Sequence, residues 1–152
     1  MLLSCGYADR HRNSSSCEQA LVDSLEVRVQ DSLFSNVHYS RSQLLAALTQ
    51  TQDSLVYYRL LALYGKTFFV SSDFDSILYY NRRVKEFSRN ASQSSESLQS
   101  PRWNDVLSDV YNIEGNVWMQ LNRPDSAIID LKKAYGYRLE GENLHLLQVI
   151  CI

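Results

Sequence analysis

Apolar residues recur at helical intervals over most of the chain. The clearest stripe, at steps of three and four residues, consists of Val106, Val110, Ile113, Val117 and Leu121. Residues three or four apart lie on one face of an α-helix, so such a stripe marks a helix that buries one side. Comparable stripes predict further helices near residues 22–33, 39–48, 54–70, 73–89 and 124–138, and an apolar helix that begins near 143. The pattern predicts an all-α protein with about six to seven helices.

Polar and conformationally special residues mark several of the predicted helix ends. Asp73 precedes an apolar stripe, where its short carboxylate can accept hydrogen bonds from the first turn of a helix. Asn122 is suited to the left-handed conformation that ends a helix, and Pro124 to the first position of the next one. Gly141 is expected to break the helix that starts at Pro124, so that 143–152 forms a separate last helix.

One pattern of residues occurs twice. In both copies an aromatic residue lies three positions after a glycine, a turn-forming residue seven after it, and a small or aliphatic residue twelve after it. The members are Gly65, Phe68, Ser72 and Ile77 in the first copy, and Gly115, Trp118, Asn122 and Ala127 in the second. A helix-turn-helix repeat requires such offsets, so the pattern predicts antiparallel helix pairs that stack into a short α-solenoid.

These residues resemble the tetratricopeptide repeat (TPR). In that family a glycine-type residue lets the two helices of a pair approach, an aromatic residue fills the gap beside it, and alanines allow the second helix to pack closely. Gly115, Trp118, Ala127 and Ala134 match this arrangement in order. The first copy fits more loosely, because Asn81 stands where the family usually has an aromatic residue.

The spacing and one core position depart from the family. Gly115 follows Gly65 by 50 residues, whereas adjacent TPRs are 34 residues apart. A serine-rich insertion at 90–100 is expected to hold most of the extra residues, and Glu114 stands where the family usually has leucine. The predicted organisation is a leader or tether at 1–16 and a TPR-like helical domain at 17–152, with repeats near 54–89 and 101–138.

Composition argues against several classes of function. The chain has 15 Lys and Arg against 17 Asp and Glu, without a basic cluster, so nucleic acid is not an expected partner. The three cysteines lie far apart and form no CxxC pair, and the three histidines show no metal-ligand spacing. The chain also has no GxSxG motif. We therefore predict no catalytic residues, no metal and no cofactor.

The beginning of the chain has two interpretations. Leu2-Leu3-Ser4-Cys5 resembles the end of a bacterial lipoprotein signal, in which the cysteine becomes lipidated. This implies a truncated leader, a lipid anchor on Cys5 and an extracytoplasmic protein tethered to the membrane in the periplasm. Alternatively, these residues have no targeting role and the protein is cytoplasmic. At the other end, the apolar last helix indicates the amino-terminal part of a longer protein, or an end that packs on a partner.

The resemblance also implies a binding groove. In TPRs the first helix of each repeat lines a concave surface. Mapped through Gly65 and Gly115, the groove positions are Arg59, Ala62, Lys66, Phe69, Val70, Asp109, Asn112, Asn116, Met119 and Gln120. Lys66, Asn112 and Asn116 are predicted to hydrogen-bond an extended peptide or a carboxylate. The alternative interpretation is an ordinary solvated face of a solenoid.

The layout as a whole resembles the extracytoplasmic sensor half of bacterial two-component histidine kinases that bear TPRs. The features that carry this resemblance are the leader ending in Cys5, the degenerate repeats and the pairs Tyr57-Tyr58 and Tyr79-Tyr80. It implies a non-catalytic sensor region that binds a protein, a peptide or another ligand. No phospho-acceptor histidine box or ATP lid lies in these residues, so kinase activity would belong to other sequence. The alternative is a free-standing TPR scaffold or adaptor lipoprotein.

Overall fold

The computed structural model describes residues 19–29, 31–32, 35–91 and 101–150, with the backbone alone for 101 and 143–150. The helices in chain order are α1 (19–29), α2 (Val37–Gln50), α3 (Ser54–Lys66), α4 (Phe74–Ala91), α5 (Pro101–Gln120) and α6 (Pro124–Ile150). A short 3-10 helix, Thr67–Ser71, extends α3. These residues include no strand, and the predicted all-α fold of paired helices is confirmed.

Two predicted segments fall outside the described residues. The leader at 1–16, which includes Cys5, is one of them. The other is the part of the serine-rich insertion at 92–100, whereas Asn90 and Ala91 belong to α4.

The prediction that Gly141 ends a helix is wrong. Helix α6 runs without a break from Pro124 to Ile150 and includes both Gly136 and Gly141. A glycine inside a helix costs only about 1 kcal/mol relative to alanine, so a single one weakens a helix without ending it. A helix stop of the kind at Asn122 needs a positive φ, and no described glycine has one. The two predicted last helices are therefore one.

The same turn ends the first helix of two successive pairs. Ser72 and Asn122 both have a positive φ, 54° and 56°, which confirms the conformation predicted for Asn122. In each turn, the residue that follows donates its N–H back to the carbonyl of the aromatic residue of the repeat. The donor and acceptor are Asp73 and Phe68 at 3.2 Å in the first turn, and Arg123 and Trp118 at 2.8 Å in the second. These bonds satisfy carbonyl groups that a helix end leaves unpaired.

Side-chain caps fix the starts of the next helices. Asp73 Oδ1 accepts from the N–H of Ser76 at 3.1 Å, as predicted, and Asp73 Oδ2 accepts from the Ser76 hydroxyl at 2.7 Å. These two hydrogen bonds hold the pKa of Asp73 below its usual value. Asp53 caps α3 in the same way, accepting from Leu55 and Val56 at 2.8 and 3.2 Å. A short carboxylate at this position satisfies N–H groups that have no partner within the helix.

The two repeated glycines lie where paired helices come closest. A Cβ added to Gly65 on α3 would lie 2.9 Å from the Cβ of Tyr80 on α4. A Cβ added to Gly115 on α5 would lie 2.7 Å from Cγ of Leu131 on α6. Both distances are shorter than carbon atoms tolerate, so each helix pair depends on the missing side chain. The predicted role of these glycines in helix pairing is confirmed.

Helix α3 belongs to two hydrophobic clusters. The first lies among α1, α2 and α3 and contains Val22, Leu25, Val29, Leu44, Val56, Leu60 and Leu63. The second joins α3, α4 and α5 through Leu61, Val84, Trp103, Leu107 and Val110. A helix that is apolar on more than one side must be covered on more than one side. Helix α3 is therefore the centre of the array.

Aromatic side chains connect α3, α4 and α5. The ring of Tyr58 stacks on Phe87 with 4.0 Å between centroids, and Phe87 meets Trp103 edge-on at 5.6 Å. Trp103 is buried, and its indole N–H donates to the hydroxyl of Ser88 at 3.0 Å. Trp118 is half-buried, and its N–H donates to the carboxylate of Asp130 at 2.9 Å. A buried indole needs such an acceptor, so these bonds fix the orientation of both rings.

Gly65→Ala and Gly136→Ala form a matched pair of variants. Gly65→Ala is expected to lower the free energy of unfolding by about 1 kcal/mol or more, because the new methyl overlaps Tyr80. Gly136 has no side-chain or distant backbone atom within 4 Å of an added Cβ. Gly136→Ala is therefore expected to raise the free energy of unfolding by about 0.5–1 kcal/mol. Urea unfolding followed by circular dichroism measures both changes, and equal changes in the two variants would contradict the close-approach role of Gly65.

Candidate functional site

The helices follow one another in three pairs, α1 with α2, α3 with α4, and α5 with α6. The first helices of the pairs, α1, α3 and α5, line a cavity of about 370 Å³, which we call the α1–α3–α5 cavity. Its apolar lining consists of Val27, Ala62, Leu63, Val106, Val110 and Ile113. Its charged lining consists of Asp23, Glu26, Arg59, Lys66, Arg102, Asp105 and Asp109. Neither histidine nor serine nor cysteine is among these lining residues.

Helical periodicity brings these side chains to one surface. On α3, Arg59, Ala62 and Lys66 are three and four residues apart, so all three project from the same face. On α5, Asp105 and Asp109 are four residues apart and likewise share a face. The stacking of α1, α3 and α5 side by side turns these faces into one concave surface.

Arg59 connects α3 to α1 inside the cavity wall. Its side chain is only 7% exposed, and its Nη2 lies 2.9 Å from Oδ1 of Asp23 and 3.3 Å from Oε2 of Glu26. Arg102 of α5 reaches Oδ2 of the same Asp23 at 2.9 Å. Burial raises the pKa of Asp23, but the hydrogen bonds and charges of Arg59 and Arg102 outweigh it and leave this pKa below its usual value. Asp23 therefore holds three helices together.

Two polar groups of the cavity lining have no hydrogen-bond partner among the described residues. Nη1 of Arg59 is one of them, but it is buried and has almost no surface that a ligand could reach. Asp105 makes no ion pair and no hydrogen bond to any described residue. Asp109, by contrast, is shared by Lys66 at 3.7 Å and Arg138 at 3.4 Å. The cavity therefore offers a ligand one free acceptor, the carboxylate of Asp105.

The predicted groove residues fall into two groups. Arg59, Ala62, Lys66 and Asp109 line the cavity. The remaining predicted positions, which do not line it, are Phe69, Val70, Asn112, Asn116, Met119 and Gln120.

The second group lies further along the two repeats. Phe69 and Val70 lie on the 3-10 helix, where Phe69 is half-buried. Asn112, Asn116, Met119 and Gln120 are exposed on the later turns of α5. The amide of Asn116 donates to the carbonyl of Asn112 at 2.9 Å, within their own helix. The structure therefore does not bring Asn112 and Asn116 into the cavity that Lys66 lines.

Four charged residues of the cavity are not among the groove positions that the resemblance to the TPR predicts. They are Asp23, Glu26, Arg102 and Asp105. The first two belong to α1, for which no repeat was matched, and the other two lie in the first turns of α5, before the mapped positions. The sequence contains a signal for Asp105, because it lies four residues before the predicted groove residue Asp109 and so shares its helix face.

A separate buried ion pair lies between α4 and α5. Glu114 is 3% exposed, and its carboxylate accepts from Nζ of Lys85 at 2.6 Å. Burial raises the pKa of Glu114, and the hydrogen bond and charge of Lys85 only partly counteract it. In the same interface the amide of Asn81 donates to the carbonyl of Val110 at 3.2 Å. The two positions that depart from the TPR pattern, Asn81 and Glu114, thus both carry interhelical polar contacts.

Tyr111 lies beside this ion pair, between two lysines. The Nζ atoms of Lys85 and Lys133 are 5.2 and 5.1 Å from the centre of its ring. Its other neighbour is Tyr137 of α6, which stacks on it with 5.7 Å between centroids. Burial raises the pKa of the Tyr111 hydroxyl. Cations over a ring face are favourable contacts, so this tyrosine helps to join α4, α5 and α6.

Neither a metal site nor a membrane-crossing helix is found in the described part of the chain. No three His, Cys, Asp or Glu side chains are grouped there as a metal ion would require. None of the helices is both long enough and apolar enough to pass through a lipid bilayer.

Comparison with known proteins found no matching family model, no matching curated protein and no matching solved structure. The geometry of the cavity is therefore the basis for any functional assignment.

The buried carboxyl of Glu114 predicts a pH dependence of stability. Because its folded-state pKa is raised, the folded protein keeps this proton at pH values where the unfolded chain has lost it. The contribution of Glu114 to the free energy of unfolding therefore falls as pH rises from the ordinary value of 4.5 through the raised pKa. Glu114→Gln lacks this titration, so the stability of wild type minus that of the variant is expected to fall over the same interval and level off above it.

Urea unfolding of both proteins between about pH 4 and pH 8 measures this difference. Glu142→Gln, at an exposed position of α6, controls for the loss of one carboxylate. A wild-type advantage that is constant with pH, or that grows as pH rises, would contradict the raised pKa.

Proposed function

We propose that this chain is a non-catalytic binding module of the TPR type. In this proposal the α1–α3–α5 cavity receives part of a segment of another protein or a peptide. The observation that carries the proposal is the cavity itself, a concavity lined by both apolar and charged residues, to which the first helix of each of three pairs contributes. Concave surfaces of stacked helix pairs are the binding surfaces of solenoid proteins in general.

The size of the cavity favours a segment over a whole small ligand. Its volume of about 370 Å³ lies near the lower end of the range for ligand pockets, roughly 300–1,000 Å³. It can therefore hold one or two side chains. The rest of a longer ligand would lie along the exposed later turns of α5, where Asn112, Asn116, Met119 and Gln120 are available.

The chemistry of the lining supports binding over catalysis. The cavity contains none of the residue types that act as nucleophiles through a hydroxyl or thiol, and no histidine. Its cations are paired with carboxylates at 2.9 to 3.7 Å, an arrangement that holds helices together. Charged groups in the lining orient a ligand, and the apolar residues stabilise the complex by burying apolar surface of the ligand away from water.

We further propose that the module is the sensor region of a signalling protein such as a bacterial two-component histidine kinase. A ligand in this cavity touches all three helix pairs, so its binding would favour one stacking of the array over others. The extracytoplasmic location and the lipid anchor on Cys5 belong to the same proposal. A transmembrane segment and kinase core encoded after Ile152 would support it, whereas a stop codon after one or two further helices would favour the scaffold or adaptor lipoprotein.

Ala62→Trp and the control Glu142→Gln test the location of the binding surface. A random peptide library displayed on phage is selected on the purified protein, and the Kd of an enriched peptide is measured by fluorescence anisotropy. Ala62→Trp fills the apolar part of the cavity and is expected to weaken binding about tenfold or more. Glu142→Gln, at an exposed position of α6 outside the cavity, is expected to change Kd less than about threefold.

Thermal unfolding establishes that both variants are folded. If Ala62→Trp does not fold, Ala62→Leu replaces it, because it narrows the same part of the cavity with less added volume. Equal binding by wild type and the cavity variant would show that the peptide does not occupy this site. A library that yields no enriched peptide would contradict the proposed function itself.

A further inference from the structure

We infer that the bound segment carries a lysine or arginine side chain, whose charge Asp105 receives. This inference rests on the proposed function and specifies the chemistry of the ligand. Two features of the cavity lead to it, an unmatched carboxylate and the apolar part of the lining.

The first feature is the unmatched carboxylate of Asp105. The cavity is lined by four carboxylates and three cations. Arg59 and Arg102 neutralise the two carboxylates on α1, and Lys66 lies beside Asp109. Asp105 has no counterpart among the described residues and is only partly exposed to water. A ligand cation therefore complements the cavity better than a ligand anion.

Asp109 strengthens the case for a cation at Asp105. The two carboxylates are one helical turn apart on the same face of α5. The contacts of Asp109 with Lys66 and Arg138, at 3.7 and 3.4 Å, are long for charge-assisted hydrogen bonds, which are about 2.7–2.9 Å. Both are also made by partly exposed lysine and arginine side chains. A guanidinium or ammonium group beside Asp105 would thus enter a negative potential from both carboxylates.

The second feature is the apolar part of the lining, which includes Ala62, Val106 and Ile113. Lysine and arginine bury their methylene chains along apolar surface and keep the charged end in a polar environment. A basic side chain that lies on these residues therefore has its charge close to the carboxylate of the same lining, Asp105.

The two features together favour a basic side chain over a compact cation. A lysine or arginine side chain provides a charge for Asp105 and a methylene chain for the apolar lining, whereas a compact cation provides only the charge. The ligand predicted by this arrangement is a peptide segment with a basic side chain that enters the cavity.

The same peptide library, selected on wild type and on Asp105→Lys, tests the charge preference. Wild type is expected to enrich peptides with lysine or arginine at one position, and Asp105→Lys is expected to lose this preference in favour of aspartate or glutamate. Enriched peptides without a preference for a basic residue would overturn this inference while leaving the proposed function standing. A failure to enrich any peptide would instead count against the proposed function.

Binding of one enriched peptide and of its norleucine analogue isolates the contact with Asp105. Asp105→Asn is expected to weaken binding of the basic peptide about tenfold and to leave binding of the norleucine analogue unchanged. Glu142→Gln, away from the cavity, is the control.

Two outcomes would overturn the inference at this stage. One is equal weakening of the basic peptide and its norleucine analogue by Asp105→Asn. The other is displacement of the peptide by spermidine or free L-lysine at concentrations no higher than the peptide's own Kd, which would identify a small cation as the ligand. Thermal unfolding of each variant establishes that it is folded before its binding is compared.

Discussion

The close approach of paired helices at two glycines is the constraint on which the rest of this structure depends. At Gly65 and Gly115 the neighbouring helix lies so near that even a methyl group would overlap it. Each approach is followed by a left-handed turn residue, Ser72 or Asn122, which reverses the chain within a few residues. Glycine and turn together fix how the second helix lies on the first. The second helices consequently stay on one side, and the first helices are free to form the concave surface.

The cavity on that surface is held open by charged side chains. Asp23 is bound by Arg59 and Arg102, so one carboxylate fixes α1 relative to α3 and α5. A purely apolar set of side chains would close such a space by packing into it, because protein interiors fill to crystal-like density. Ion pairs at fixed distances across the cavity keep the helices apart, and they leave Asp105 with unused hydrogen-bonding capacity.

The fold was predictable from the sequence because its determinants are local. The spacing of Gly65 and Phe68, repeated at Gly115 and Trp118, corresponds to the same backbone hydrogen bonds in both turns. The prediction that Gly141 ends a helix was wrong. Whether a glycine ends a helix depends on the conformation that it adopts, and Gly141 is helical. The site was predictable only in part. Arg59 and Lys66 were predicted through the resemblance to the TPR, which places them on the groove side of the first helix of a repeat. Asp105 is distinguished by having no partner among the described residues, and that depends on the tertiary structure.

The buried pair of Lys85 and Glu114 restricts how an array of this kind can change during evolution. In a stacked array each unit contacts only its neighbours, so units can be exchanged without loss of stability only where the interfaces between them are alike. Here α4 supplies the cation and α5 the carboxylate, so the contact is specific to these two helices. A recombined array that placed an ordinary apolar unit against α5 would leave the Glu114 carboxylate buried without a counterion, which is strongly destabilising. The order of the units is thereby fixed by charge, and the two repeats are not interchangeable.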